Sequence, residues 1–331
     1  MKCRHCSAEL KHTFLDLGSS PPSNAYLSKD ALKEAEQYYP LKVMVCDHCW
    51  LVQTEDFVKA DIMFASDYAY FSSYSTSWLV HAKAYVEKVS SKFYLNSNSI
   101  VVEVAANDGY LLQYINDKNI PCYGIEPTHG TAEAAREKGI EVVEDFFGVD
   151  LASRLLKQGR QADLMIANNV LAHVPDINDF VKGFSILLKP NGIATFEFPH
   201  VLNLMKNNQF DTIYHEHYSY LSFTAVCNIF DFNGLAVFDV EQIPTHGGSL
   251  RVYVQLRASG SYKVNPNVVD LLEKEDRAGL NSINTYRGFQ EQAEDIKNNF
   301  LSFLIKTKNN GHSVVGYGAA AKGSTLLNFS G

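Results

Sequence analysis

Short apolar and β-branched runs alternate with helical patterns from about residue 98 onward. The apolar runs predict strands at 99–105, 122–126, 141–144, 163–168 and 193–198. The segments between them predict helices at 110–119, 130–139, 150–159 and 176–189. Strands that alternate with crossover helices are typical of a parallel sheet, so the pattern indicates an α/β fold.

The pattern changes after this series. A helix is expected near 222–232, and two strand-like runs follow it, LAVFDVEQ and SLRVYVQL. A loop joins these two runs, which predicts an antiparallel hairpin. A parallel sheet that finishes with such a hairpin is the Rossmann-like arrangement of class I methyltransferases.

Residues 264–310 have helical spacing throughout. The apolar side chains at steps of three and four, which we expect to face a core, are Leu280, Ile283, Tyr286, Phe289, Ala293, Ile296, Phe300 and Phe303. SVVGYGAAAKGSTLLN then predicts a strand, a Gly-rich turn and the start of a helix, with Lys322 and backbone N–H groups facing an anion such as phosphate. One strand and one helix cannot bury their own faces. We therefore expect a C-terminal Rossmann-like domain that is truncated in this chain.

Four of the six cysteines form two C-x-x-C pairs, Cys3 with Cys6 and Cys46 with Cys49. Two such turns can surround a tetrahedral zinc ion with four thiolates, and this saturated site would be structural. Disulfides or a redox pair are the alternatives, disfavoured in a cytosolic chain. We expect zinc to fold a loop-rich segment of about 60 residues.

The remaining two cysteines, Cys122 and Cys227, lie in apolar surroundings and are expected to be buried core thiols.

Composition narrows the class of protein. The 331 residues are 46% hydrophobic and carry a net charge of -8, with 29 Lys and Arg against 37 Asp and Glu. The absence of a basic cluster argues against a nucleic-acid partner. The sequence contains neither an apolar run long enough to span a bilayer nor an apolar N-terminal leader, which predicts a cytoplasmic protein without membrane contact.

The first predicted strand runs into a turn, Glu103-Val-Ala105-Ala-Asn107-Asp-Gly109, that must approach a ligand closely. Dinucleotide-binding turns have the pattern G-x-G-x-x-G, whereas this turn has only Gly109. An NAD enzyme is therefore disfavoured, and the small and polar residues suit a ligand without pyrophosphate, such as S-adenosylmethionine.

Further polar residues follow the other predicted strands, where ligands of such sheets bind. Glu126 and Pro127 end the second strand, where a carboxylate can accept hydrogen bonds from ribose hydroxyls. Asp145 and Phe146 follow the third strand, where an adenine could be held. Asn168 and Asn169 end the fourth strand, where the methionyl end of S-adenosylmethionine would lie. Each of the acids could also be a solvated turn residue.

The densest polar cluster is the run from Tyr214 to Tyr218, YHEHY, with His173 and Tyr68 as companions. Five adjacent titratable or hydroxyl-bearing side chains do not build a core. A surface turn with incidental histidines and a His-x-His metal pair are the alternatives to a catalytic role.

In order, the C-x-x-C pairs, VEVAANDGYLL, GIEPT, ANNVLAHVPD, TIYHEHYSYLS, HGGSLRVY and GYGAAAKGSTLLN resemble the S-adenosylmethionine-dependent C-methyltransferases of deoxysugar biosynthesis. The resemblance implies a zinc-binding module (1–65), a methyltransferase domain (66–260) and the start of a C-terminal nucleotide-sugar-binding domain (261–331). It also implies methylation of the carbon next to the ketone of a nucleotide-linked keto-deoxysugar, with dTDP as nucleotide, through an enolate.

By the same analogy, His217 is the base, Glu216 orients its imidazole and Tyr214 donates to the enolate. Tyr68 and His173 complete the pocket, and His173 is the rival base. In the HGGSLR run, His246, Ser249 and Arg251 are candidates for sugar or phosphate contacts, together with Lys322. A plain hairpin turn is the alternative for that run.

Two other functions compete with this one. An O- or N-methyltransferase would use the same cofactor without a carbon-acid base. A non-catalytic zinc-containing protein would use the zinc module and the sheet to bind a partner.

Overall fold

The computed structural model describes residues 1–23, 27–57, 70–318 and 321–331. Tyr68 therefore lies outside the described residues. The strands are β1 (His12–Ser20), β2 (Tyr39–Val45), β3 (Val52–Thr54), β4 (Val101–Val104), β5 (Cys122–Ile125), β6 (Glu141–Val143), β7 (Ala162–Asn168), β8 (Leu188–Pro199), β9 (Ser219–Tyr220), β10 (Leu235–Ile243) and β11 (Ser249–Leu256).

The α-helices of the described residues are α1 (Thr76–Lys92), α2 (Leu112–Asn116), α3 (His129–Glu137), α4 (Val149–Lys157), α5 (Ile177–Leu187), α6 (Val201–Lys206), α7 (Phe223–Phe232), α8 (Pro266–Arg277), α9 (Ile283–Arg287), α10 (Phe289–Asn309) and α11 (Ala321–Ser330). Several begin at a side-chain cap, as at Asp176, Ser222 and Asn265, each of which accepts a hydrogen bond from a backbone N–H of the first turn. None of these helices is long and apolar enough to cross a bilayer.

A seven-stranded sheet with the order β10-β11-β8-β7-β4-β5-β6 forms the centre of the molecule. The strands from β8 to β6 in this order run parallel to one another. At the opposite edge, β11 runs antiparallel to β8, and β10 runs antiparallel to β11. This confirms the predicted parallel sheet and hairpin of a Rossmann-like methyltransferase fold. Because β4 lies between β5 and β7, the chain reverses its direction of winding there, and this switch point leaves a crevice at the carboxyl ends of the strands.

A second sheet has the order β1-β2-β3-β9 and is antiparallel throughout. Its first three strands belong to the N-terminal segment, which is therefore more regular than the loop-rich segment expected from the sequence. Phe14 and Leu15 are buried in a core shared with α9 and α10, and Phe14 stacks on Phe289 at 4.8 Å. The fourth strand, β9, comes from the chain beyond the seven-stranded sheet's parallel strands.

Residues 264–310 form the predicted helices, but not every apolar side chain expected to face a core is buried. Leu280, Tyr286, Phe289 and Ala293 are buried, whereas Phe303 is 56% exposed because the last turns of α10 extend into solvent. The expected strand near residue 314 is wrong: residues 312–318 have no regular secondary structure, and Val315 is 89% exposed. An apolar run forms a strand only where another strand pairs with its backbone. Residues 319–320 of the Gly-rich turn lie outside the described residues.

A buried, hydrogen-bonded His–Glu pair joins α8 to the sheet. Glu275 accepts hydrogen bonds from His200 Nε2 (2.6 Å) and from the backbone N–H groups of Phe223 (2.6 Å) and Thr224 (2.7 Å). Burial alone would raise the pKa of Glu275, but these hydrogen bonds and the charge of His200 hold the pKa below its ordinary value. Glu275 thus connects α8, the N-terminus of α7 and the end of β8.

We expect Glu275→Ala to lower the free energy of unfolding by about 3 to 5 kcal/mol, because it leaves buried donors without an acceptor. Glu273→Ala, which removes an exposed partner of Arg277 on the same helix, should change it by less than about 0.5 kcal/mol. Since the folded-state pKa is lowered, the contribution is complete above the ordinary pKa of 4.5 and is lost as the pH falls through the folded value. Urea denaturation at pH 7 and at acid pH measures both. Equal destabilisation by the two variants would contradict this account.

Candidate active site

A cavity of about 830 Å³ opens at the carboxyl ends of the parallel strands β4, β5, β6, β7 and β8. Eight of the residues singled out for cofactor binding line it, namely Ala105, Asn107, Glu126, Pro127, Asp145, Phe146, Asn168 and Asn169. They come from four separate turns, and the topology of the sheet brings them together. Glu103 and Gly109 are not among the lining residues.

The turn after β4 has a left-handed backbone at three positions, with φ of 58° at Ala105, 50° at Asn107 and 72° at Gly109. A side chain at Gly109 would lie 3.2 Å from the Cβ of Ala135, so glycine allows α3 to pack closely. The side chain of Asn107 is already occupied: its Oδ1 accepts from Ser72 N (2.8 Å) and its Nδ2 donates to Tyr70 O (3.0 Å). Asn107 therefore holds the 70–74 segment at the cavity.

Glu126 has a nearly buried carboxylate with a defined orientation. It accepts hydrogen bonds from the backbone N–H groups of Asn107 (2.9 Å) and Thr128 (3.0 Å). Burial raises the pKa of Glu126, and these hydrogen bonds oppose the rise. Glu103, in contrast, is fully buried, and burial raises its pKa well above the ordinary value. Glu103 therefore belongs to the interior of the sheet.

The segment of residues 214–218, here called the histidine segment, lines the same cavity through Tyr214, Glu216 and His217. His217 Nδ1 lies 2.8 Å from the backbone oxygen of Thr212. A carbonyl oxygen can only accept, so Nδ1 carries the proton and Nε2 keeps a lone pair in the neutral ring. Burial, followed by the nearby charge of His173, lowers the pKa of His217 well below 6.5.

His173 and Tyr214 pack around His217. Their ring centres lie 4.6 Å and 4.1 Å from that of His217, and all three residues line the cavity. Burial lowers the pKa of His173 to about 4, opposed by a hydrogen bond with the backbone of Glu216. Burial also raises the pKa of Tyr214, which keeps its phenol protonated.

The Thr212 carbonyl accepts a hydrogen bond from the His217 ring, and Glu216 contacts the neighbouring His173 through its main chain. The role of Glu216 in orienting His217 stays a prediction. The carboxyl of Glu216 is nearly buried at the cavity wall. Sequence inspection missed Thr212 because a backbone carbonyl has no residue-type signature.

Of the four candidates for substrate contacts, His246 and Lys322 line the cavity. Ser249 and Arg251 do not, because Ser249 donates to Thr245 O (2.9 Å) and the Arg251 guanidinium pairs with buried Glu197 at 2.9 Å. Arg251 is thus paired inside the sheet, across β11 and β8. Trp78, which the sequence does not single out, also lines the cavity, with its ring 5.3 Å from that of His246.

The four cysteine sulfurs lie within 4.8 Å of one another. Sulfur atoms around a tetrahedral zinc ion with 2.3 Å bonds are roughly 3.8 Å apart, so this donor set fits the metal. Gln53 Nε2 lies 3.3 Å from Cys3 Sγ and His48 N lies 3.4 Å from Cys46 Sγ, which supplies N–H donors to the thiolates. The His5 ring forms a hydrogen bond with Asn178 Oδ1 at 2.8 Å. Cys122 and Cys227 are partly buried, and burial raises their pKa to about 11 and about 12.

Comparison with known proteins identifies the family. Three family models match: a zinc binding domain over residues 3–64, a methyltransferase domain over 80–240 and a C-methyltransferase C-terminal domain over 244–331. The C-methyltransferase NovU of Streptomyces niveus is 32% identical over 326 residues, which are 98% of this chain and 77% of NovU. The chain belongs to the S-adenosylmethionine-dependent C-methyltransferase family. Its cofactors are accordingly S-adenosylmethionine and a structural zinc ion.

Two of the similar solved structures each match about half of the chain. The PH0226 protein of Pyrococcus horikoshii is 12% identical with a TM-score of 0.45, over 56% of this chain and 94% of that one. Magnesium protoporphyrin IX methyltransferase of Synechocystis with bound SAH is 15% identical with a TM-score of 0.42, over 53% of this chain and 81% of that one. The fold assignment rests on the sheet order and the family match.

We expect Cys46→Ser to lower zinc affinity by more than roughly 100-fold and to destabilise the small sheet, because one of four thiolates is lost. Metal analysis after dialysis against a chelator, with urea unfolding, measures both effects. Cys122→Ser is the matched control and should keep stoichiometric zinc. Stoichiometric zinc in Cys46→Ser would show that these cysteines do not form the site.

Proposed function

We propose that this chain transfers the methyl group of S-adenosylmethionine to the ring carbon next to the ketone of a nucleotide-linked keto-deoxysugar, with dTDP as the nucleotide. The observation that supports this most is a buried imidazole that lines the cavity, His217, whose Nδ1 donates to the Thr212 carbonyl and whose lowered pKa keeps the ring neutral. Methylation of carbon requires a base, whereas methylation of a hydroxyl or amine has no such strict need.

The turns at the carboxyl ends of β4, β5, β6 and β7 suit the cofactor. Glu126 would accept hydrogen bonds from the ribose hydroxyls, Asp145 and Phe146 would hold the adenine, and Asn168 and Asn169 would lie near the methionyl end. When bound, S-adenosylmethionine supplies an electrophilic methyl group. This arrangement leaves the histidine segment facing the acceptor.

His217 Nε2 would take the proton from the carbon next to the ketone, and the electron pair of that C–H bond would move into an enolate. The Thr212 carbonyl keeps the ring in the required tautomer and stabilises the imidazolium that forms. Tyr214, which stays protonated, would donate to the enolate oxygen. The enolate carbon would form its new bond to the methyl carbon as the methyl–sulfur bond breaks. The electron pair of that bond would stay on sulfur, which leaves S-adenosylhomocysteine, and His217 would release its proton to solvent.

Lys322 and His246 border the same cavity and would contact the sugar or its diphosphate. A lysine ammonium can bind a phosphate oxygen as a point charge. Trp78 beside His246 offers an apolar ring face to the same region.

We expect methyl-deuterated S-adenosylmethionine, incubated with the protein and a panel of dTDP-linked 4-keto-deoxysugars, to place its label on ring carbon. Fragmentation by mass spectrometry locates the label. Label on oxygen or nitrogen would refute the enolate mechanism. Cofactor binding with no transfer to any sugar would refute the substrate class.

His217→Asn should lower turnover by about 100- to 10,000-fold, the range typical of a lost general base, and should leave cofactor affinity within twofold. In the wild type, the acid limb of kcat/KM should lie below pH 6.5, because the pKa of His217 is lowered. His173→Asn is the companion variant. A collapse of turnover in His173→Asn but not in His217→Asn would transfer the role of base to His173.

A further inference from the structure

The histidine segment continues into a strand that belongs to the sheet of the zinc module. In the pairing of β3 with β9, Val52 lies opposite Tyr220 and Gln53 lies opposite Ser219. Cys49 precedes β3 by a few residues, and His217 precedes β9 by two positions. The backbone therefore leads from a metal ligand to the proposed base through a single strand pair.

Thr54, at the end of β3, contacts the backbone of the base itself. Its Oγ1 donates to His217 O at 3.1 Å, and its N–H donates to Tyr218 O at 3.1 Å. Thr54 is 2% exposed, so water cannot readily replace these hydrogen bonds. Thr54 fixes the main chain of His217 while Thr212 fixes its ring.

Arg4, between Cys3 and Cys6 in the first C-x-x-C turn, reinforces the same contact. Its guanidinium donates to Thr54 O (2.9 Å) and to Pro175 O (2.7 Å), and pairs with Asp56 at 2.6 Å. Pro175 lines the cavity. The guanidinium also lies 5.3 Å from the ring centre of Tyr218 in the histidine segment.

Gln53 connects these contacts to the metal ligands. It is fully buried; its Oε1 accepts from Arg4 N (2.9 Å), and its Nε2 donates to Cys3 Sγ (3.3 Å). Partners of this kind orient metal ligands in other proteins. Here the same side chain belongs to the strand that pairs with β9.

We infer that Thr54 and Arg4 are positioning residues for His217, and that the zinc module thereby contributes to proton removal as well as to folding. The inference rests on the proposed role of His217 as base. A misplacement of about 1 Å in such a site can cost roughly 100-fold in rate. Binding of the cofactor, which we assign to the turns after β4, β5, β6 and β7, should not depend on these contacts.

The test isolates proton removal from methyl transfer. The protein is incubated in D2O with S-adenosylhomocysteine and a dTDP-4-keto-deoxysugar, and deuterium entering the carbon next to the ketone is followed by NMR. Thr54→Val removes the hydroxyl at nearly constant volume and should slow this exchange by roughly 10- to 100-fold. Thr54→Ser keeps the hydroxyl and should restore the rate to within about threefold. S-adenosylhomocysteine affinity and zinc content should match the wild type in both.

Arg4→Met provides a second, independent variant and should slow exchange with zinc and S-adenosylhomocysteine affinity retained. Arg257→Met is its matched control, since Arg257 pairs with Asp231 on the exposed surface at 2.7 Å. Wild-type exchange in Thr54→Val and Arg4→Met, or equal losses in Thr54→Ser and Thr54→Val, would overturn the inference.

If the wild type itself exchanges no deuterium, the keto-sugar function fails, and the ¹⁵N signals of the His217 ring then decide the positioning role. Thr54→Val should shift those signals, and Thr54→Ser should leave them near their wild-type positions. Unchanged signals in Thr54→Val would overturn the inference on that readout.

Discussion

The pairing of β3 with β9 is the constraint on which the active site depends. The histidine segment has little regular structure of its own, and a loop of polar side chains would sample many conformations in water. Here its backbone is bound on one side by Thr54 and on the other by Ala172, whose oxygen accepts from Tyr218 N at 2.8 Å. The sheet of the zinc module and the turn that follows β7 thus hold this short segment between them.

Burial keeps the histidine rings of this region neutral, as the proposed role of base requires. His217 and His173 lie side by side, and a positive charge on either would be poorly solvated and would repel the other. Burial lowers both pKa values, and the nearby charge of His173 adds to the lowering at His217, so the neutral rings are the stable forms. Neutral rings also suit the proposed binding of a sulfonium cation in this cavity. Lys322, which contributes further to the lowering for His217, shows that the charge balance of the cavity extends to α11.

Local patterns were sufficient to predict much of the molecule. Alternating apolar runs gave the parallel sheet, two C-x-x-C turns gave the four-cysteine cluster, and strand ends gave eight residues that line the cavity. Long-range contacts could not be predicted in this way. In three contacts, the residue types do not indicate which residues will meet. These contacts are the hydrogen bond of His217 to Thr212 O, the pairing of β3 with β9, and the burial of Arg251 against Glu197. The prediction of a strand near Val315 was wrong for the same reason, because a strand forms only where a second strand pairs with its backbone.

The most direct test of the central claim is the protonation state of the His217 ring. Nitrogen NMR of protein labelled with ¹⁵N-histidine, with His217→Asn used to assign the signals, distinguishes the two neutral tautomers from the imidazolium. The account predicts a neutral ring at pH 7 with the proton on Nδ1 and a free lone pair on Nε2. An imidazolium at pH 7, or a neutral ring with its proton on Nε2, would contradict it.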